Sequence, residues 1–336
     1  MPSFLPTRRQ FTAAALAGFA AACSRPSAPR EITIYSGRGE NLIGPLLQKA
    51  ETALGVKINV RYGNSAQMAL AILEEGQNTR ADIFIAQESG ALGALARENL
   101  LTRLPDEVLN RVDRRFRSPE GLWVGLSGRT RVIDYNTKLV PKEDLPASVS
   151  DLTQPKWKGK VGWAPANGSF QAFVTAMRLT EGDERTQAWL RAMKSNGARD
   201  YPSNAPIVEA LGRGEIHLGL VNNYYLYRFT AGNPDFPVAH HYTKGDAGCL
   251  VLVSGAGVLT TAGERSADAL SVIRYLLSEP AQQHFADENN EYPLVFSVEA
   301  PANRVPLSEI DPPDIDLSRL GDLEGTLKLL NAAGVL

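Results

Sequence analysis

Asn222-Asn223-Tyr224-Tyr225-Leu226-Tyr227 is the most unusual local sequence in the chain, and it follows directly on the apolar run Leu218–Val221. Such a run reads as a buried strand. Residues just past the carboxyl end of a strand in an open α/β sheet sit where ligands bind. Two adjacent phenols there, Tyr224 and Tyr225, can chelate a hard cation. A free tyrosine ionises only near pH ~10. A trivalent metal stabilises the phenolate strongly, so capture releases protons and weakens in acid. The neighbouring asparagines can hydrogen-bond an anion that fills the remaining coordination positions. An isolated Tyr-Tyr pair also suits a core or a sugar-stacking surface, with rings packed and hydroxyls wet.

Other chemistry finds little support. His240-His241 would put neighbouring side chains on opposite faces of a strand, so they cannot readily share one ion, and the pair is expected on the solvated surface. The sequence holds no Gly-rich phosphate loop with Lys, no Gly-x-Ser-x-Gly elbow and no His-Glu-x-x-His. Carboxylates are abundant, but no spacing singles out an acid/base pair, so nothing points to an enzyme. Cys23 and Cys249 are the only cysteines; Cys249 lies in an apolar run and reads as a small buried hydrophobe. Charges nearly balance at a net −2 with no long run of one sign, which argues against a nucleic-acid partner.

The elements needed to position the phenols follow from hydrophobic spacing. Ile32–Tyr35, Lys57–Tyr62 and Asp82–Ala86 read as strands. Between them, Leu42, Ile43, Leu46, Leu47, Ala50 and Leu54 recur at helical spacing, and Ser65 can cap a helix whose Met68, Ile72 and Leu73 share a face until Gly76 stops it. This βαβαβ order predicts a parallel sheet with helices on both faces. A second α/β unit begins after Gly128, with strands Val132–Tyr135, Val161–Trp163 and Leu218–Val221 and helices Ser169–Leu179, Thr186–Met193 and Ile207–Leu211. The β-rich run Leu250–Leu259 leads into a helical pattern through Leu277. A Pro-rich passage from Pro301 to Pro313 then precedes a last helix, Leu323–Leu330. The length accommodates two lobes, and no Pro- or Ser-rich tether separates them.

The first 30 residues differ. Arg8 and Arg9 precede an Ala-rich apolar run, Phe11–Ala22, with no acidic residue. That run is shorter than the ~20 residues a bilayer span requires, and the arrangement reads as an export signal over 1–22. Thr7-Arg8-Arg9-Gln10-Phe11 resembles a twin-arginine signal, with an ordinary secretory signal as the alternative. Ala21-Ala22-Cys23 resembles a lipoprotein processing site that would make Cys23 a lipidated N-terminus; simple cleavage after an Ala-x-Ala pattern is the other option. Loss of 1–22 takes the formal charge from −2 to −4, because Arg8 and Arg9 are its only charged side chains.

Six segments in order carry a family resemblance: Ile34-Tyr35-Ser36-Gly37, Ala81-Asp82-Ile83-Phe84, Leu126-Ser127-Gly128-Arg129-Thr130-Arg131-Val132, Pro155-Lys156-Trp157-Lys158-Gly159-Lys160-Val161-Gly162, Asn222-Asn223-Tyr224-Tyr225 and Glu291-Tyr292-Pro293-Leu294. With them the chain resembles the bacterial ferric-ion-binding periplasmic proteins, which are type II two-lobed solute-binding proteins. The resemblance implies an α/β fold in which each lobe is a central, mixed or mostly parallel sheet flanked by helices, with the ligand cleft between the lobes. It implies crossings near Arg129 and Leu250, so that 31–128 with 251–303 forms lobe 1 and 129–250 with 304–336 forms lobe 2. It implies Fe3+ on Tyr224 and Tyr225, a synergistic anion such as carbonate or phosphate, an ABC permease in the cytoplasmic membrane as partner, a monomer, and a periplasmic or otherwise extracytoplasmic place, with a lipid anchor if Cys23 is modified.

The sequence departs from that family at two ligands. Some members carry His where this chain has Gly39, and Glu where it has Gln87. Glu40 and Glu88 each stand one residue further on and can substitute as metal ligands, or can simply be acidic residues favoured at helix N-termini. The resemblance places the anion at Asn167-Gly168-Ser169, near Asn204 and Asn222. A Gly-Ser turn entering a helix presents free N–H groups suited to an anion, although Ser169 also fits a plain N-cap. Arg129 and Arg131 point the same way along a crossing strand, and Arg129 is taken as the anion's cationic partner. A binding protein of the same fold for thiamine, a polyamine or a phosphonate is the alternative function.

Overall fold

Short apolar runs become strands and the amphipathic segments between them become helices, so the α/β class is as expected. The computed structural model describes residues 30–336; the signal segment 1–22 and Cys23 lie outside them. The strands are β1 (Glu31–Ser36), β2 (Lys57–Tyr62), β3 (Ile83–Ala86), β4 (Leu101–Thr102), β5 (Val124–Asn136), β6 (Val161–Trp163), β7 (Arg199–Asp200), β8 (Leu218–Asn222), β9 (Val238–His241), β10 (Val251–Leu259) and β11 (Tyr292–Pro293). They pair in the order β2-β1-β3-β10-β5-β8-β6-β7, with β4 on β10 and with β9 and β11 on β5. β2, β1 and β3 run parallel, as do β8, β6 and β7, which is the βαβ logic of each half. Between them β10 and β5 run antiparallel to their neighbours, so the whole is mixed.

β5 is 13 residues long and buried throughout. Its first part pairs with β10, up to Thr130 opposite Val251, and its last part pairs with β8, from Arg131 opposite Asn222 to Tyr135 opposite Leu218. One strand therefore serves both halves of the sheet. Burial on every side forces its polar residues to find partners inside. Ser127 does so through a buried pair: Arg38 Nη2 lies 2.6 Å from Glu291 Oε2, and the Ser127 hydroxyl donates to the same oxygen at 2.6 Å. Asp134 meets His240, whose Nδ1 is 2.6 Å from Asp134 Oδ1. His240 thus packs inward with a side chain only 12% exposed, and His241 Nε2 takes the Pro146 carbonyl at 2.7 Å. The surface position expected for this pair is wrong, because the buried carboxyl of Asp134 needs a partner.

The helices Glu40–Leu54, Ser65–Glu75 and Ser89–Arg97 accompany the first three strands. Ile43, Leu46, Leu47 and Ala50 face the core, and Gly55, at φ 61°, ends the first helix. Asn64, not Ser65, caps the second, in a capping box with Gln67. Ser65 is otherwise engaged: its hydroxyl accepts the Gln87 N–H at 2.9 Å, tying the helix start to the end of β3. Gly37 allows this approach, since a Cβ there would lie 2.5 Å from Ser65 Cα. In the second half Asn167 caps the helix Gly168–Glu181 through Ser169 N–H, so Ser169 is not the cap.

Towards the C-terminus the short turn Leu317–Gly321 lies on the helix Ser89–Arg97. Contact is backbone to backbone at Gly90 and Gly93: a Cβ on Gly93 would collide with the Ser318 carbonyl. The last helix, Leu323–Ala332, packs on Gly168–Glu181, with Thr326 and Thr175 hydroxyls 2.7 Å apart. Cys249 is fully buried, its thiol donating to the Asp311 carbonyl at 2.9 Å. Residues 31–336 form one unit, and no helix among the described residues is long and apolar enough to cross a membrane. Gly93→Ala should force the 317–321 turn away from its helix, costing about 1–3 kcal/mol as overpacking does; a thermal melt should show a Tm lower by several degrees.

Candidate functional site

β8 ends at Asn222, and Asn223 starts the turn into the short helix Tyr224–Thr230. The turn is fixed on both sides of its backbone. Asn223 N–H donates to the Thr130 carbonyl at 3.0 Å, and the Thr130 N–H donates back to Asn223 Oδ1 at 3.0 Å. Leu226 is buried and anchors the helix. Neighbouring helical side chains normally diverge, yet the rings of Tyr224 and Tyr225 stack, with centroids 4.4 Å apart and planes at 29°. The pair is thereby presented together.

Two cations flank it. The Arg228 guanidinium lies 5.8 Å from the Tyr224 ring and 5.5 Å from that of Tyr225, one turn along the exposed side. Arg131 lies behind, 1% exposed. Its Nη1 donates to Ser169 Oγ at 3.2 Å, Asn204 Oδ1 at 3.3 Å and Asn222 Oδ1 at 3.1 Å. Its Nε and Nη2 are buried without protein partners. Burial pushes Arg131 down to about 10, opposed by Tyr224, Tyr225 and Asp134, so it stays a cation at neutral pH. The Tyr225 phenol is pushed well above its ordinary value, first by burial and then by its neighbour Tyr224; Arg228 and Arg131 pull the other way.

A cleft of about 630 Å³ brings most of the expected residues together: Tyr224, Tyr225, Glu88, Arg129, Asn167, Gly168, Ser169 and Asn222 all line it. Asn204 does not. It is 1% exposed and works from behind, accepting the Asn222 N–H at 3.1 Å and donating to Asn167 Oδ1 at 3.2 Å. Glu40 is also outside the lining: it occupies the first turn of its helix, exposed, in the field of the Tyr62 phenol. Glu88 reaches the cleft rim, its side chain 49% exposed and 3.5 Å from Arg129 Nη2. Arg129 donates to the Gln87 carbonyl at 2.8 Å and keeps Nη1 without a partner. Arg129 lines the cleft with Asn167, Ser169 and Asn222, while Arg131, which does not line it, bonds Ser169, Asn204 and Asn222 from behind. The signal for Arg131 is its pairing with Asn222 across β5 and β8, and pairing register is not written in sequence spacing.

Among the described residues no three His, Cys, Asp or Glu side chains converge as a metal site. The oxygen donors on the cleft are the two phenols and Glu88, and the N–H donors facing it come from Arg129, the Asn and Ser side chains and the start of the Gly168–Glu181 helix.

Comparison with known proteins places the chain in a family. Residues 78–313 match the family described as bacterial extracellular solute-binding protein. The major ferric iron-binding protein of Neisseria meningitidis serogroup B is 31% identical over 91% of this chain and 93% of its own. Iron uptake protein A1 of Synechocystis is 32% identical over 92% of this chain and 88% of its own. Among solved structures, iron-bound HitA from Pseudomonas aeruginosa superposes with a TM-score of 0.79 at 32% identity, over 91% of this chain and all of the other. A Trichodesmium protein in complex with iron and citrate gives 0.79 at 28% identity, over 90% of this chain and 99% of the other. The architecture is accordingly the two-lobed α/β fold of these proteins, each lobe a sheet flanked by helices.

Removing a cation near a phenol raises the pH at which it ionises. Arg228→Gln, an exposed change that should leave the fold intact, is expected to move the Tyr225 titration to higher pH; the ultraviolet phenolate spectrum, read against Tyr225→Phe, checks it.

Proposed function

Because the chain belongs to the bacterial extracellular solute-binding proteins, we propose that it is the ferric-ion-binding component of an ABC importer. In this reading Tyr224 and Tyr225 take Fe3+ as phenolates in the cleft, and a membrane permease receives it. The observation that carries the reading is the converged pair of phenols on the cleft wall, backed by a buried cation. The relatives named for ferric iron binding and iron uptake support it, and they are binding proteins, which fits the want of a nucleophile–base constellation.

A synergistic anion such as carbonate or phosphate would sit against Asn167, Gly168, Ser169 and Asn222, with Arg131 and Arg129 as its cations; citrate accompanies iron in one similar structure. Glu88, which lines the cleft, would complete the metal shell; Glu40 does not line it. The lobes would divide as 31–128 with 251–303 and 129–250 with 304–336, although the turn 317–321 rests on a helix of the first group. Contacts from both lobes to one cargo favour a closed form, since a ligand shifts an equilibrium by its difference in affinity for the two states. Hinge closure around a ligand is the general behaviour of periplasmic binding proteins as a class. The protein would act as a monomer in the periplasm.

Phenols must release protons to bind a metal, so ferric affinity should rise with pH. Tyr224→Phe and Tyr225→Phe each delete a donor without opening a cavity. Each should abolish the visible phenolate-to-iron colour and weaken ferric binding by tenfold or more, on the order of one lost ligand bond, with an unchanged melt; a double variant that still bound iron normally would refute the assignment. Export and anchoring are separate claims: mass spectrometry of the mature protein should find a diacylated Cys23 at the N-terminus, and an unmodified terminus would remove the anchor.

A further inference from the structure

The cleft is far larger than an ion and carbonate occupy, about 630 Å³, and one of its walls is apolar. On the helix Ser65–Glu75, Met68 and Ile72 turn to the core while Ala66, Leu70 and Leu73 line the cleft. Ala91 and Ala94 of the neighbouring helix, and Leu320 from the C-terminal turn, extend the same wall. Leu70 is 54% exposed and Leu73 38%. Apolar surface held open in a cleft marks a place where something apolar docks.

The polar wall states the other requirement. A trivalent ion on two phenolates retains one positive charge, and the guanidiniums of Arg129 on the cleft, Arg131 behind it and Arg228 beside the rings outnumber Glu88. Arg129 Nη1 and Arg131 Nε and Nη2 are unpartnered, on side chains 3% and 1% exposed. Those free N–H groups suit an anion with oxygen donors. Carbonate meets the charge but leaves the leucines wet, and citrate is polar on every side.

We propose that the cleft receives ferric iron as a complex with an aromatic ortho-diolate of the catechol class, whose two oxygens hold the metal and whose ring lies on the Leu70–Leu73 wall. This rests on iron binding at Tyr224 and Tyr225. The diolate arrives already deprotonated on the iron; Tyr224 and Tyr225 displace two water ligands of the metal, and their two phenol protons pass to solvent as the iron–oxygen bonds form.

The test presents the full mature chain with preformed ferric complexes of catechol, of citrate, and with ferric ion plus bicarbonate, followed by the charge-transfer band and by affinity. Expected is at least tenfold tighter binding of the catechol complex. In Leu70→Ser with Leu73→Ser, that advantage should fall by about tenfold, the scale for uncovering part of two leucines, while bicarbonate-supported binding stays as it was. Both leucines are surface residues, and an unchanged melt confirms that the variant folds. Equal affinities for the three forms, or an equal loss on all three in the variant, would overturn the proposal. If wild-type iron binding needs the tyrosines but shows no catechol advantage, only this inference fails. If the Tyr224→Phe, Tyr225→Phe double variant keeps its iron, the assignment of the metal site itself fails.

Discussion

Everything in the cleft depends on a strand that has no wet face. β5 carries Arg129, Arg131 and Asp134 within 13 wholly buried residues, and a buried charge is tolerated only where partners surround it. The requirement recruits the neighbouring elements. Arg131 gathers Ser169 from a helix start, Asn204 from the helix Asn204–Gly212 and Asn222 from the end of β8. Those bonds fix where β8 ends, and so where the tyrosines begin. Asp134 draws His240 inward on β9 in the same way. The site is thus the visible edge of an arrangement whose first purpose is to satisfy ions inside the sheet.

The phenol pair itself is shaped by opposed forces. Burial and mutual proximity hold Tyr225 neutral, while Arg228 and Arg131 favour its ionised form. On the proposed reading the site carries little negative charge of its own before a cation arrives. Repulsion between permanent anions, the cost that a cluster of carboxylates would carry, is avoided. In the proposed ferric site the guanidiniums would call for a further anion once two phenolates had met the metal.

Much of the fold was legible because periodicity and burial coincide. The βαβαβ order, the buried run before Asn222 and the last helix all follow from apolar spacing, and the tyrosines were visible as an odd pair after a strand. What escaped depended on competition between neighbours. Ser65 and Ser169 both look like caps, but Ser65 bonds Gln87 and Ser169 bonds Arg131, leaving Asn64 and Asn167 to close the helices. Arg129 and Arg131 are equivalent by alternation; only the register of β5 on β8 separates them. Glu40 and Glu88 look alike as first-turn acids, and the end of β3 brings only Glu88 to the cleft. Leu73 reads as core beside Met68 and Ile72, yet it sits at the margin of that face and turns to the opening.

The pairing of β3 with β10 has a consequence in time. Ile83 and Val258 are register partners separated by about half the chain, and β5 waits for β10, β8 and β11, all of which come later. Loop closure over such spans is slow, and the contacts that reward it form last. The ladder that joins the two halves therefore waits for β10, although β2-β1-β3 and β5-β8-β6-β7 can pair before it. During synthesis the emerging chain remains without its central ladder until well past residue 251, and the cleft comes into being as one late event rather than by stages.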